Sequence, residues 1–165
     1  MIEKHNSKSG QTIIEFAGIL VLVVILLLGI IEFSIVMYDK ALLTRGSREG
    51  ARAAVVYRAS PSVDPNHPGR LDYAPMAEAN IESAINTYLQ GRLVTFGVPF
   101  NASVDDAVNV TWRDANGDTV SASSARTGTI EVEVNFAYTF LALPRFGALG
   151  NGMLNLQAMT IMRVE

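Results

Sequence analysis

Cysteine is absent from the 165 residues, which excludes a disulfide framework and any thiolate zinc site. Histidine is nearly absent too. His5 and His67 are the only two, so acid–base catalysis and histidine-ligated metals have little to draw on. His67 has Asp64 and Asp72 nearby in sequence, but one histidine without clustered ligands reads as an ordinary loop residue. No nucleophile elbow and no phosphate-cradling glycine loop occurs. Positive charge is also missing as a cluster: 13 Lys and Arg stand against 16 Asp and Glu, for a net charge of −3. Nucleic-acid binding driven by counterion release is therefore not expected. Enzymatic activity, a cofactor, a metal and a small-molecule substrate are likewise not expected.

Apolar residues, by contrast, make up 49% of the chain beside 18% charged ones, and the excess is local. Residues 16–31 form an unbroken run of apolar or small residues, resumed after Glu32 by Phe33, Ile35, Val36 and Met37. A bilayer-spanning helix needs about 20 such residues, and residues 16–38 supply them with Glu32 as the only charge. Three N-terminal devices fit an apolar run. A cleaved secretory signal needs a small-x-small site after it, and Glu32-Phe33-Ser34-Ile35-Val36 offers none. A plain signal anchor accounts for the run but not for Gly10 and Glu15. A prepilin-type leader, polar through residues 1–10 and cut after Gly10, accounts for both.

Glu15 carries the physical case. A carboxylate within an apolar helix is costly and marks a functional position with a partner. Cleavage after Gly10 would give Gln11 a new amino group and place Glu15 fifth in the mature chain. A neighbouring subunit's N-terminal amine could then neutralise it and set the axial stagger. At 100° per residue, Glu15, Gly18, Gly29 and Glu32 share an arc of roughly 100°. Small residues on one face admit a second helix at close range, so these four are the candidate packing positions. Flanking charge pulls the other way. Lys4 and Lys8 precede the span, whereas Lys40, Arg45, Arg48, Arg52 and Arg58 follow it, with Asp39 and Glu49 offsetting two. That count opposes an N-in orientation; the leader and the large polar region beyond the span favour it, and N-in is the expectation.

Gly10-Gln-Thr-Ile-Ile-Glu15-Phe16 resembles the leader-peptidase step of type IV prepilins. Gly29-Ile-Ile-Glu32-Phe33, Ala41-Leu-Leu and Arg48-Glu49-Gly50-Ala51-Arg52-Ala53-Ala54 are similar to the N-terminal region of TadE-like proteins, minor pseudopilins of the Tad (tight adherence) pilus. The closing stretch from Gln157 to Glu165 is similar to that family's last strand. The resemblance implies processing between Gly10 and Gln11 by a prepilin peptidase, and assembly with other pilins and pseudopilins into a thin adhesive pilus. It also implies a single-pass protein of the bacterial cytoplasmic membrane, in contact with membrane lipid, with an extracytoplasmic C-terminal domain. Gln11 stands where the best-known pilins carry an aromatic residue. The alternative is an uncleaved, single-pass membrane-anchored binding module.

Beyond the span, residues 39–57 hold no proline and are rich in Ala, Leu and Arg, so the helix is expected to continue, with a kink at Gly46 and Gly50. Arg45, Arg48, Glu49 and Arg52 read as its solvated face. Pro61, Pro65 and Pro68 mark a loop and a boundary. Residues 76–89 have the spacing of an amphipathic helix closed by Gly91. Alternation at period two then predicts strands over 108–113, 130–140 and 154–164, with a hairpin turn at Asn116-Gly117 leading to Thr119 and Val120. Asp114, Asn116 and Asp118 imitate a calcium loop, but the glycine falls one place early and no glutamate closes it. Glu131 and Glu133 alternate with core positions and read as solvated. The expected fold is α+β: a 1–10 leader, a long helix over 11–57 with its span at about 16–38, and a 58–165 domain. That domain is a small antiparallel sheet with a packed helix, a pilin-like lollipop.

Overall fold

The computed structural model describes residues 8–56, 62, 63, 71, 72, 78–104, 106–121, 128–141 and 152–164. The expectations for His5, Arg58, His67 and the proline-rich loop's centre lie outside those residues.

One helix, α1, runs without interruption over Lys8–Val56; at 1.5 Å per residue its 49 residues reach roughly 73 Å. The helix continues through Gly46 and Gly50, where a kink was expected. Both glycines instead sit where the second helix, α2 (Glu78–Leu89), crosses against α1. A Cβ on Gly50 would lie 2.6 Å from Ile85 Cγ1 and Cδ1, and one on Gly46 2.9 Å from Leu89 Cδ2. The missing side chains are what admit the close approach, and the buried packing gained outweighs glycine's poor helix propensity of about 1 kcal/mol.

Two short strands, β1 (Ser62–Val63) and β2 (Leu71–Asp72), pair antiparallel where a plain loop was expected. The main sheet contains β3 (Val108–Asp114), β4 (Thr119–Val120), β5 (Gly128–Thr139) and β6 (Met153–Val164), in the spatial order β4-β3-β5-β6 and antiparallel throughout. The β3–β4 turn is the expected hairpin: Asp114 Oδ1 accepts from Asn116 N at 2.8 Å and Asp118 N at 3.0 Å, and Gly117 takes φ 90°. A carboxylate engaged by its own turn in this way is an Asx device.

Alternation decides which sheet face is buried. Ile130, Val132, Val134, Phe136 and Tyr138 of β5 point toward α1 and α2 and are buried, as are Trp112 of β3 and Leu156, Ala158 and Val164 of β6. The opposite face carries Glu131, which accepts from Arg113 Nε at 3.2 Å, and Glu133, which accepts from Asn135 Nδ2 at 2.9 Å. These acids belong to surface networks, as their alternation indicated. The helices close the core from the other side through Leu42, Leu43, Ala51, Ala54, Ile81, Ile85 and Leu89. The class is α+β, with a long N-terminal helix and a small antiparallel sheet domain.

Candidate functional site

The C-terminal part of α1 repeats a 4-3 spacing. Glu32, Val36, Asp39, Leu43, Gly46 and Gly50 all lie on the face covered by the domain and are buried. Such spacing keeps one stripe of a helix pointing in one direction. Continued toward the N-terminus it passes through Gly29, Ile25, Leu22, Gly18 and Glu15. Here the domain is gone. Every residue from 10 to 28 is exposed, Gly29 is half-buried, and Ile30 and Ile31 are exposed. No atom comes within 4 Å of where a Cβ would stand on Gly10, Gly18 or Gly29.

The four candidate packing residues therefore divide. Glu15, Gly18 and Gly29 lie on the open part of the stripe. Glu32 is 3% exposed and packs within the chain, its Oε1 accepting the Leu141 amide at 2.5 Å. Within the 16–38 stretch expected to span, the domain therefore covers one side of the helix from Glu32 on. From Glu32 onward one side of α1 is covered by protein, while Phe33, Met37 and Tyr38 stay exposed on the other. Where processing was expected, Gln11 Nε2 donates to Glu15 Oε1 at 3.1 Å, so that carboxylate has a partner one turn back on its own helix.

A buried polar group beside Glu32 escaped sequence reading. Asp39 is fully buried, and its Oδ1 accepts the Val94 amide at 3.0 Å. Burial raises its pKa above the ordinary 3.8, and the Val94 N–H lowers it in part. Tyr138, also fully buried, faces both acids. Burial first, then the charges of Glu32 and Asp39, then its polar contact with Glu32 push the phenol up to about 12. The hydroxyl does not reach Glu32 with the geometry of a full hydrogen bond. This arrangement ties the emerging helix to the 94 and 141 loops. Further along, Lys40 Nζ donates to the Gln157 carbonyl and Ser47 Oγ lies 2.7 Å from Thr160 Oγ1. Arg45, Arg48 and Arg52 are exposed, Arg52 reaching Glu49 at 3.9 Å. Among the described residues no group of three or more His, Asp or Glu side chains could hold a metal ion.

A long helix, apolar and exposed over its first half and built into a small sheet domain over its second, defines a candidate membrane-anchored α+β protein. Its length and composition suffice to cross a bilayer once. The family model described as "TadE-like protein" matches residues 10–52, the helix just described, and supports a TadE-like protein of the Tad pilus system. No curated protein and no solved structure matches the chain.

Proposed function

We propose that the chain is a minor pseudopilin that takes part in assembling a Tad-type adhesive pilus. In this reading a prepilin peptidase cuts it after Gly10, and Glu15 guides its packing against neighbouring pilins. The observation that carries the reading is one coincidence. The family match falls on a helix whose C-terminal stripe is filled by its own domain while the N-terminal continuation, through Glu15, Gly18 and Gly29, is open. A neighbouring subunit's helix would complete that stripe, with the small residues admitting close approach. The new amine of Gln11 would neutralise Glu15 in an apolar setting, where an unpaired carboxylate is expensive. Glu32 already packs on the chain's own domain and has no part in this contact between subunits.

Orientation follows from the same reading: N-terminus cytoplasmic, domain extracytoplasmic, anchored in the inner membrane. Lys40, Arg45, Arg48 and Arg52 weigh less against it than their number suggests. They lie on a helix built into a folded domain rather than in a short loop, and domains cross largely regardless of charge.

A second reading has its own observation. The Gln11–Glu15 hydrogen bond satisfies the carboxylate without any new amine, as an uncleaved anchor would require. Intact mass after co-expression with a prepilin peptidase separates the two. Loss of residues 1–10, blocked by substituting Gly10, supports the pseudopilin; an unshifted mass with normal piliation supports the anchor. Glu15→Ala is expected to impair pilus assembly while leaving the domain folded, and unchanged piliation would remove the charge pairing.

A further inference from the structure

We infer that the sheet domain does not stand clear of the membrane on its helix but rests an apolar collar directly on the lipid surface. This rests on the membrane-anchor reading above. Three segments meet where α1 leaves the domain. The end of β5 reaches Glu32 through the Leu141 amide. The start of β6 is joined to it by the Phe140 N–H to Gly152 carbonyl bond at 3.1 Å. The loop after α2 touches Asp39 through the Val94 amide and returns to β5 at Gly97, where a Cβ would lie 2.5 Å from Thr139 Oγ1. All three lie at one end of the sheet, because Thr139 pairs with Met153 there while Gly128 pairs with Val164 at the other.

That end is distinct in its chemistry. Residues 93–98, 139–141 and 152–154 contain no charged side chain. They do contain Phe96 (44% exposed), Val98 (82%), Leu141 (66%) and Met153 (50%), four of the seven large hydrophobics exposed outside α1 among the described residues. The far end carries Arg113, Asp114, Asp118 and Arg163.

Lipid is the occupant that the geometry favours, because the collar is continuous with the span. Residues 11–31 measure roughly 32 Å as helix, against about 30 Å of hydrocarbon. With Gln11 at one interface, Ile31 reaches the other, and Glu32 and its Leu141 partner come level with the headgroups. Phe33 (66% exposed) extends the apolar surface outward from the helix at the same level. The side chains beside the helix there would enter the interfacial layer, which accepts apolar and aromatic groups.

The absence of cysteine makes a depth measurement direct. Single variants Ile25→Cys, Val98→Cys, Leu141→Cys and Asn116→Cys of the full chain are spin-labelled in phosphatidylcholine/phosphatidylglycerol vesicles. Their collision rates with oxygen and with a water-soluble nickel chelate are then compared. All four positions are exposed, so the labels leave the core intact. The expected result is oxygen dominance at positions 25, 98 and 141 and chelate dominance at 116, in the turn at the far end. Oxygen dominance at 25 with chelate dominance at 98 and 141 would overturn the collar while leaving the anchor standing. Labels at 98 and 141 shielded from both agents would also overturn it, in favour of contact with another protein subunit. Chelate dominance at 25 would remove the membrane reading itself.

Discussion

Gly50 offers a test in which two opposing effects have known size. Replacing it by alanine adds one methyl group and removes a helix-interior glycine, which by propensity alone stabilises by about 1 kcal/mol. The methyl would stand 2.6 Å from both Cγ1 and Cδ1 of Ile85, a residue with no exposed surface, and 3.5 Å from Ile81 Cγ2. Carbon atoms pack at about 3.5–4.0 Å, so Ile85 must retreat by about 1 Å in a core with nowhere to go. Overpacking of this kind costs about 1–3 kcal/mol. The net expectation for Gly50→Ala is a loss of about 1 kcal/mol, or a Tm lower by about 2–4 °C for a chain of this size. Trp112, the single tryptophan and 2% exposed, reports the transition by fluorescence in detergent. The decisive measurement is the same substitution in an Ile85→Ala background. Ile85→Ala alone opens a cavity at a cost of about 2–5 kcal/mol; there the methyl has room, and Gly50→Ala should change sign and become stabilising. Gly46→Ala should cost less than Gly50→Ala, since its nearest contact is 2.9 Å against 2.6 Å. A higher Tm for Gly50→Ala in the otherwise unaltered chain would refute the idea that this glycine exists for close packing.

Asp39 and Tyr138 give two predictions of pH dependence. The Asp39 carboxyl is raised above 3.8 by burial, so the folded chain holds a proton that the unfolded chain has released. Its contribution is most favourable below pH 3.8 and is lost as pH rises through the folded pKa. Asp39→Asn keeps an acceptor for the Val94 amide and cannot titrate, so its urea midpoint should fall less between pH 4 and 7; parallel curves would contradict this. Tyr138 ionises at about 12 rather than 10.0, so the folded state loses stability as pH climbs above 10. Tyr138→Phe should abolish the tyrosinate absorbance step near pH 12 and flatten that alkaline loss.

Much of the architecture could be read from local pattern. The alternation through Ile130, Val132, Val134, Phe136 and Tyr138 has one solution on a half-buried sheet, and these residues are the core of β5. The α2 boundary was equally legible from Gly91, which takes φ 72° where an L side chain would be strained. What the sequence hid depends on contacts between distant positions. Glu32 and Leu141 are 109 residues apart and Asp39 and Val94 are 55 apart, so no local pattern makes either acid a structural anchor. A signal was nonetheless present. The 4-3-4-3-4 spacing from Glu32 to Gly50 marks a buried stripe, and it accounts for the burial of Asp39 and of both glycines. Apolar content alone likewise does not separate exposed turns of α1 from the domain-covered turns that begin at Glu32.

The unbroken passage of α1 from the open stripe into the core makes anchor and domain a single shaft, with the domain keyed to it through Gly46 and Gly50. Angular phase is therefore inherited along its whole length. One residue inserted between Leu22 and Leu28 would leave each half locally intact yet turn the domain by about 100° against Glu15 and advance it by about 1.5 Å. A two-part protein joined by a flexible tether would absorb that change without consequence. Here the number of residues in the apolar segment is itself a coordinate, fixing which way the sheet faces relative to Glu15.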